Sequence, residues 1–441
     1  MAFKGRISTA HTSLDHLLLG PGLPPTPIFH TQRFWSFVAS CCNDETLKAL
    51  SLVNRMIGRI AQKQLFVFLY FRAAHKDQDN PRVREVYDQR GNLTARRFTG
   101  IVLSGFAPSV RTLRYIGVPQ PGEDNRHFSD YDKTVAQYDL RSLNTLLTLL
   151  PNYSGIRKME MSSVTLNQQA METITSLKSL EHLELREVKL TDLPRCPTLP
   201  RLKELVFEPR KAPEPNGQII HICQPGSLET LKLSPDITFA FLSGLVEGGG
   251  CPALQSLEVT VNTDTAPVFY ELLKTCDSLD LLIVNHDYDD IMTEPYLPTD
   301  FPPEACANLS YFVGPICFAY RIIPGRPVIA VEIEESGFPS IFVDIDDFVE
   351  AVRVCSRSSV PIQTLRVATF RADASAMTLM NEIGALFPAL TSLQLLVKDP
   401  NSDEDSGSDV EMNGDDVRPD AYNNVEVDSS NVGYSVSMRC K

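Results

Sequence analysis

LEHLEL at Leu180–Leu185, LKELVF at Leu202–Phe207 and LETLKL at Leu228–Leu233 repeat one pattern, Leu-x-x-Leu-x-apolar. The pattern continues as LQSLEV from Leu254, LDLLIV from Leu279, LSYFVG from Leu309, IQTLRV from Ile362 and LTSLQL from Leu390, with VIAVEI from Val328 as a degenerate copy. Upstream it is found as IRKMEM from Ile156, and VRTLRY from Val110 opens the series. Between Ile156 and Leu309 the steps are 24, 22, 26, 26, 25 and 30 residues. One match carries no meaning; a near-regular series signals a repeat architecture.

The period-two alternation inside each copy predicts a strand with its leucines on one face. The intervals NQQAMETITSL, APVFYELLKTC, DIDDFVEAVRVC and ASAMTLMNEIGALF read as short amphipathic helices. A single strand–helix unit cannot bury its own apolar face, so stacking supplies the core. Cys251, Cys276 and Cys306 stand three residues before the first leucine of a copy, a slot held elsewhere by Tyr153, Leu177, Leu199 and Phe387. The slot reads as an inward apolar position. Without a Cys-x-x-Cys pair or a paired histidine, a metal site is the weaker reading.

Ahead of the repeats, Pro24, Pro25 and Pro27 precede IFHTQRFWSFVASC, in which Ile28, Phe34, Phe37, Val38 and Cys41 cluster on one helical face. Asn43 or Asp44 suits an N-cap. From there Leu47, Leu50, Val53, Ile57, Ile60, Leu65 and Phe68 recur at helical spacing, with Gly58 expected to break the run in two. DETLKALSLVNRMIGRIAQKQLFVFL resembles the second half of an F-box: Leu52-Val53-Asn54-Arg55 matches its Leu–Val–x–Arg element, Leu65-Phe66 its closing pair and Leu23-Pro24 its Leu–Pro opening. With cysteine-containing leucine-rich repeats behind it, the chain resembles an F-box–leucine-rich-repeat protein of the fungal type. A plain helical cap on the repeat array is the other reading of this region.

The resemblance implies an α/β fold: a three-helix F-box-like module, then a leucine-rich-repeat solenoid with parallel strands inside and helices outside. The expected division is a flexible arm at 1–22, the helical module at 23–72, the repeat domain with an N-terminal connector at 73–398, and a disordered acidic tail at 399–441. It implies a substrate-recognition subunit of an SCF-type ubiquitin ligase, with a Skp-family adaptor and cullin complex as partners. Leu23, Pro24, Ile28, Phe34, Phe37, Val38, Leu50 and Val53 would serve the adaptor contact. The alternative is a leucine-rich-repeat interaction scaffold with no ligase role.

The chain carries a formal charge of −14. Its last 43 residues hold 11 Asp/Glu against Arg418, Arg439 and Lys441, leaving a net of −6 before Asp399. Nucleic-acid binding needs clustered cations, so it is not expected of the body. A like-charged segment poor in aromatics is expected to be disordered; Ser402, Ser406 and Ser408 each precede an acidic residue by three positions, which suits acid-directed phosphorylation. The stretch from Arg72 to Arg97 reads as a solvated connector. Apolar runs are too short for a membrane span or a secretory leader, so a cytoplasmic or nuclear protein is expected.

No catalytic constellation stands out. Gly248-Gly249-Gly250 lacks the Lys-Ser/Thr of a phosphate loop. There is no Gly-x-Ser-x-Gly or His-Glu-x-x-His, and His286-Asp287-Tyr288-Asp289-Asp290 lacks the spaced ligands of a calcium loop. A non-enzymatic protein without cofactor or metal is expected. The target-binding surface is placed on the concave strand face. There the outward positions Glu184, Lys232, Glu258, Glu332 and Arg366 are polar, while Leu281, Ile283, Tyr311 and Val313 form an apolar cluster. A one-residue register slip would turn all four inward.

Overall fold

The computed structural model describes residues 28–72, 83–117, 130–191, 198–210, 222–286, 301–333, 345–371, 374–398 and 434–439. Among the described residues there are fourteen strands: β1 (Phe68–Arg72), β2 (Thr112–Ile116), β3 (Lys158–Ser162), β4 (Thr165–Asn167), β5 (His182–Thr191), β6 (Glu204–Pro209), β7 (Thr230–Leu233), β8 (Ser256–Val261), β9 (Leu281–His286), β10 (Tyr311–Gly314), β11 (Ala330–Ile333), β12 (Thr364–Arg371), β13 (Ser392–Lys398) and β14 (Tyr434–Arg439). They pair in chain order into one sheet, with β4 set aside as a short partner of β5. Every pairing up to β13 is parallel; β14 joins β13 antiparallel. All eleven copies of the sequence pattern become strands of this sheet. The fold is α/β with a long parallel sheet, the arrangement expected of leucine-rich repeats.

The register explains the pattern. Leu113, Met159, Leu183, Leu205, Leu231, Leu257, Leu282, Phe312, Val331, Leu365 and Leu393 stand side by side in one row, all buried in a single apolar core. Burial of one such side chain contributes about 1.5–3 kcal/mol. A second ladder runs just before the strands, each backbone N–H donating to the carbonyl at the same position one repeat back. Glu181 donates to Arg157, Lys203 to Glu181, Glu229 to Lys203, Gln255 to Glu229 and Asp280 to Gln255, at 2.7–2.9 Å.

The inward slot before seven of the copies is as the sequence implies. Tyr153, Leu177, Leu199, Cys251, Cys276, Cys306 and Phe387 are all buried. Each opens a tight turn in which the first apolar residue of the copy donates back to its carbonyl, as Leu254 does to Cys251 at 3.1 Å. Burial pushes the thiols of Cys251 and Cys306 up to about 12, and raises Cys276 as well.

Helices cover the face on which the leucines point: α4 (Val83–Leu103) stacks on α5 (Asp130–Leu149), α6 (Gln168–Thr175) follows β4, and α7 (Pro235–Glu247) stacks on α8 (Ala266–Leu273). Further on, α10 (Ile345–Cys355) packs against both α9 (Ile316–Ile322) and α11 (Ala374–Leu386). Phe241, Leu242 and Leu245 of α7 and Phe269, Leu272 and Leu273 of α8 enter the common core.

The N-terminal helices have a small core of their own, in which Ala39, Leu47 and Ala61 are buried with Leu50, Ile60 and Leu65 packed around them. They are α1 (Ile28–Ser40), α2 (Asp44–Leu50) and α3 (Arg55–Leu65). Asn43 caps α2 by accepting from Thr46 N, and Asn54 caps α3 by accepting from Ile57 N.

Two expectations change. Gly58 is no break: it lies inside α3, where an added Cβ would stand 2.7 Å from Ser51 O, so glycine permits the close approach of α2 and α3. The helical spacing does not run on to Phe68, because α3 ends at Leu65 and Phe68–Arg72 forms the first strand of the sheet. Past Arg72 the chain enters α4 at Val83; its Leu93, Arg96 and Arg97 are exposed, and Phe98 and Ile101 beyond them are buried in the main core. Within the acidic tail, Tyr434–Arg439 pairs with β13. Residues 1–27 and 399–433, including Leu23, Pro24, Ser402, Ser406 and Ser408, lie outside the described residues.

Candidate protein-binding surfaces

The sheet face opposite the helices is the open one. Its side chains fall into rows, because parallel pairing in register places equivalent positions side by side. The middle row reads Arg114, Glu160, Glu184, Val206, Lys232, Glu258, Ile283, Val313, Glu332, Arg366 and Gln394.

From β2 to β8 the charges on this face neutralise one another. Arg114 Nε lies 3.2 Å and Lys158 Nζ 2.9 Å from the Glu160 carboxylate. His182 Nδ1 is 2.6 Å from Glu204 Oε2. Arg186 reaches both Glu184 at 2.5 Å and Glu208 at 3.2 Å, and Lys232 bridges Glu208 at 3.3 Å and Glu258 at 2.8 Å. The hydrogen bond to Glu160 raises the Lys158 ammonium above its ordinary value, against a smaller opposing effect of burial. Partly exposed pairs of this kind contribute little individually, about 0–1 kcal/mol each. Their consequence is a surface on which most of the charge is already satisfied.

The ladder stops at β9. Leu281 lies beside Tyr311, and Ile283 beside Val313. Their chain neighbours Leu282, Val284 and Phe312 point the other way into the core. The register therefore places the four sequence-selected residues on the open face. Leu281, Ile283 and Tyr311 are half-buried; Val313, at 7% exposure, is largely covered and corrects the expectation of four open residues. It sits in the row between Ile283 and Glu332, and both neighbours are bulky. On the far side Glu332 is clamped, accepting from Tyr311 Oη at 3.1 Å and ion-paired with Arg366.

The helical module exposes apolar side chains of its own. Phe34 (59%), Phe37 (69%), Leu52 (86%) and Val53 (60%) are exposed. Phe34, Phe37 and Val53 thus lie outside the small core of the module. Val38 is half-buried, and Leu50 packs against the small core. Ile28 is the first residue of α1. Leu52 was missed as a surface residue, although its place in the turn between α2 and α3 gives the reason for its exposure. Also missed were Phe68 and Tyr70, exposed on the open face of β1, because the segment reads as the end of a helix.

No helix among the described residues is long and apolar enough to cross a membrane. Among the same residues no group of three His, Cys, Asp or Glu side chains is placed to hold a metal ion.

No protein-family model matches the chain, and no curated protein matches it. Among solved structures it is similar to the plant peptide hormone receptor RGFR1 in complex with RGF2, at 11% identity and a TM-score of 0.26 over 68% of this chain. The chain spans 45% of the length of that receptor chain. The repeat assignment rests on the register of this chain's own strands.

Proposed function

We propose that the chain is a protein-binding scaffold without catalytic activity of its own, and more specifically the substrate-recognition subunit of an SCF-type ubiquitin ligase. The helical module binds a Skp-family adaptor linked to a cullin, and the open sheet face holds the target through Leu281, Ile283 and Tyr311. Its contribution to ubiquitin transfer is proximity and orientation, with the chemistry performed by its partners. The reading is supported by the four exposed apolar side chains on α1 and the α2–α3 turn. Such a group on a small module with a separate core marks a protein-binding site. The F-box resemblance names the partner.

Calorimetric titration with a purified Skp-family adaptor tests the first half. Phe34→Ser with Phe37→Ser, and Leu52→Ser with Val53→Ser, remove exposed anchors, and loss of a central anchor costs about 2 kcal/mol or more of binding. The thermal transition should stay in place while affinity falls at least about 30-fold, the equivalent of that energy. Unchanged affinity in both variants contradicts adaptor docking here. In that case the second reading, an interaction scaffold outside any ligase, takes over. One observation favours it: Pro25-Thr26-Pro27 stands where an F-box has an acidic residue and an aliphatic pair.

A further inference from the structure

Two residues ahead of the middle row, another row of side chains crosses the open face. On the early strands it is charged, with Lys158, His182 and Glu204 side by side. From β7 onward it is not. It runs from Thr230 through Ser256, Leu281, Tyr311, Ala330 and Thr364 to Ser392, in register over seven successive strands and without one Asp, Glu, Lys, Arg or His. Glu204 of β6 bounds it on one side and, in register, Arg439 of β14 on the other. Over the same strands the middle row carries Lys232, Glu258, Glu332 and Arg366.

The centre of this row is apolar. Leu281 and Tyr311 are half-buried, Ala330 is nearly covered, and Ile329 is exposed at the entrance to β11. Thr230 and Ser256 on one side, and Thr364 and Ser392 on the other, are half-buried, and among the described residues none of the four hydroxyls is hydrogen-bonded. The charges alongside are committed. Lys232 bridges Glu208 and Glu258, and Arg366 meets Glu332, which also accepts from Tyr311 Oη. At the strand entrances stand Gln255, Asp280, Ser310, Ile329, Gln363 and Thr391; Asp280 is the one charge among them and accepts from Ser310 Oγ. A charged side chain laid along the row gives up water and meets only charges that are already partnered, a cost that an uncharged one avoids. The open hydroxyls both donate and accept, which suits the amides of an extended backbone.

Six strand steps of about 4.8 Å make the row about 29 Å long, the span of about nine residues of extended chain. We infer that this row is the track that selects the target, and that its occupant is an extended, uncharged stretch of a protein partner. That stretch carries aliphatic or aromatic side chains at its middle and no Asp, Glu, Lys or Arg. The inference rests on the open face being the target site and adds the chemistry of what is held there.

The test is selection of a displayed library of random peptides, each long enough to span the row, on the full chain. The library is first depleted on the L281S/I283S form, so that the peptides recovered are those that need the open face. Should that form not fold, Ser256→Lys with Thr364→Glu, two surface changes, replaces it. Recovered peptides are synthesised and titrated by fluorescence anisotropy. They should have an uncharged core with apolar residues at its centre, and an affinity that changes less than about twofold between about 0.05 and about 0.5 M salt. Ser256→Lys and Thr364→Glu should each weaken them about tenfold or more, while Thr364→Ser should not. Recovered peptides with charged cores, steep salt dependence or indifference to S256K and T364E overturn the uncharged track and leave the open face standing as the target site. Recovery of no peptide after depletion overturns both.

Discussion

Arg326 is the largest fully buried side chain among the described residues, at 1% exposure, and its guanidinium contacts carbonyls rather than a carboxylate. It donates to Ala305 O at 2.7 Å, Ile322 O at 2.6 Å and Pro302 O at 2.6 Å, and lies 4.5 Å from the centre of the Phe301 ring. One side chain thus ties the turn before β10 to the end of α9. Burial lowers its pKa, but an arginine stays charged at any ordinary pH. Arg326→Met should lower stability by about 2–4 kcal/mol in urea unfolding, because two buried acceptors and a part-buried one lose their donor. A loss below about 0.5 kcal/mol would show that water replaces the guanidinium.

The buried thiols give a second test at this scale. Cys223, Cys251, Cys306 and Cys355 are all pushed up to about 12 by burial, while Cys41 is exposed. Alkylation of the native protein near pH 8, read by peptide mass spectrometry, should modify Cys41 and spare those four until the chain unfolds. The pH dependence has a definite sign. The protonated thiol is favoured in the fold, so this contribution is complete below the unfolded thiol pKa near 9 and is lost as pH rises from there toward 12.

At the scale of elements, two glycines in helices separate propensity from packing. Gly58 of α3 lies against Ser51 O, whereas nothing lies within 4 Å of a Cβ built on Gly100 of α4. Alanine is favoured over glycine by about 1 kcal/mol in a helix interior. Gly100→Ala should therefore raise the thermal transition, and Gly58→Ala should lower it despite the same local gain. Equal shifts for both would mean that the α2–α3 contact does not constrain the backbone.

These elements also show what is legible in the sequence. Strands β2 to β13, apart from β4, announce themselves because each must place apolar residues at alternate positions against the shared core. The inward cysteine slot is legible for the same reason. Strand β1 is hidden because LFVFLY follows apolar residues at helical spacing, and the sheet, not the local sequence, makes it a strand. Gly58 misleads because a helix-breaking residue and a close-packing residue look alike until the neighbouring helix is placed. Of the candidate target site, Leu281, Ile283 and Tyr311 are readable from register alone. The covering of Val313 depends on its row neighbours in adjacent repeats and is not.

On the scale of the whole molecule, the surface is divided by charge. The open sheet face neutralises itself from β2 to β8 and leaves an apolar stretch at β9–β10, while Arg55, Arg59, Lys63 and Arg111 line a cleft beside α3 and the segment after Lys398 is rich in Asp and Glu. Under the proposed function the adaptor and the target would use separate surfaces, the helical module and the sheet. The most direct measurement is affinity purification of the chain from the cells that express it, with identification of co-purifying proteins, run in parallel for three forms. The wild type should recover a Skp-family adaptor, a cullin and a target. The F34S/F37S/L52S/V53S form should lose the adaptor and cullin and keep the target. Leu281→Ser with Ile283→Ser should do the reverse; these are preferred to Tyr311→Glu, which would set a second carboxylate against Glu332. Recovery of a target with neither adaptor nor cullin from the wild type would contradict the ligase assignment.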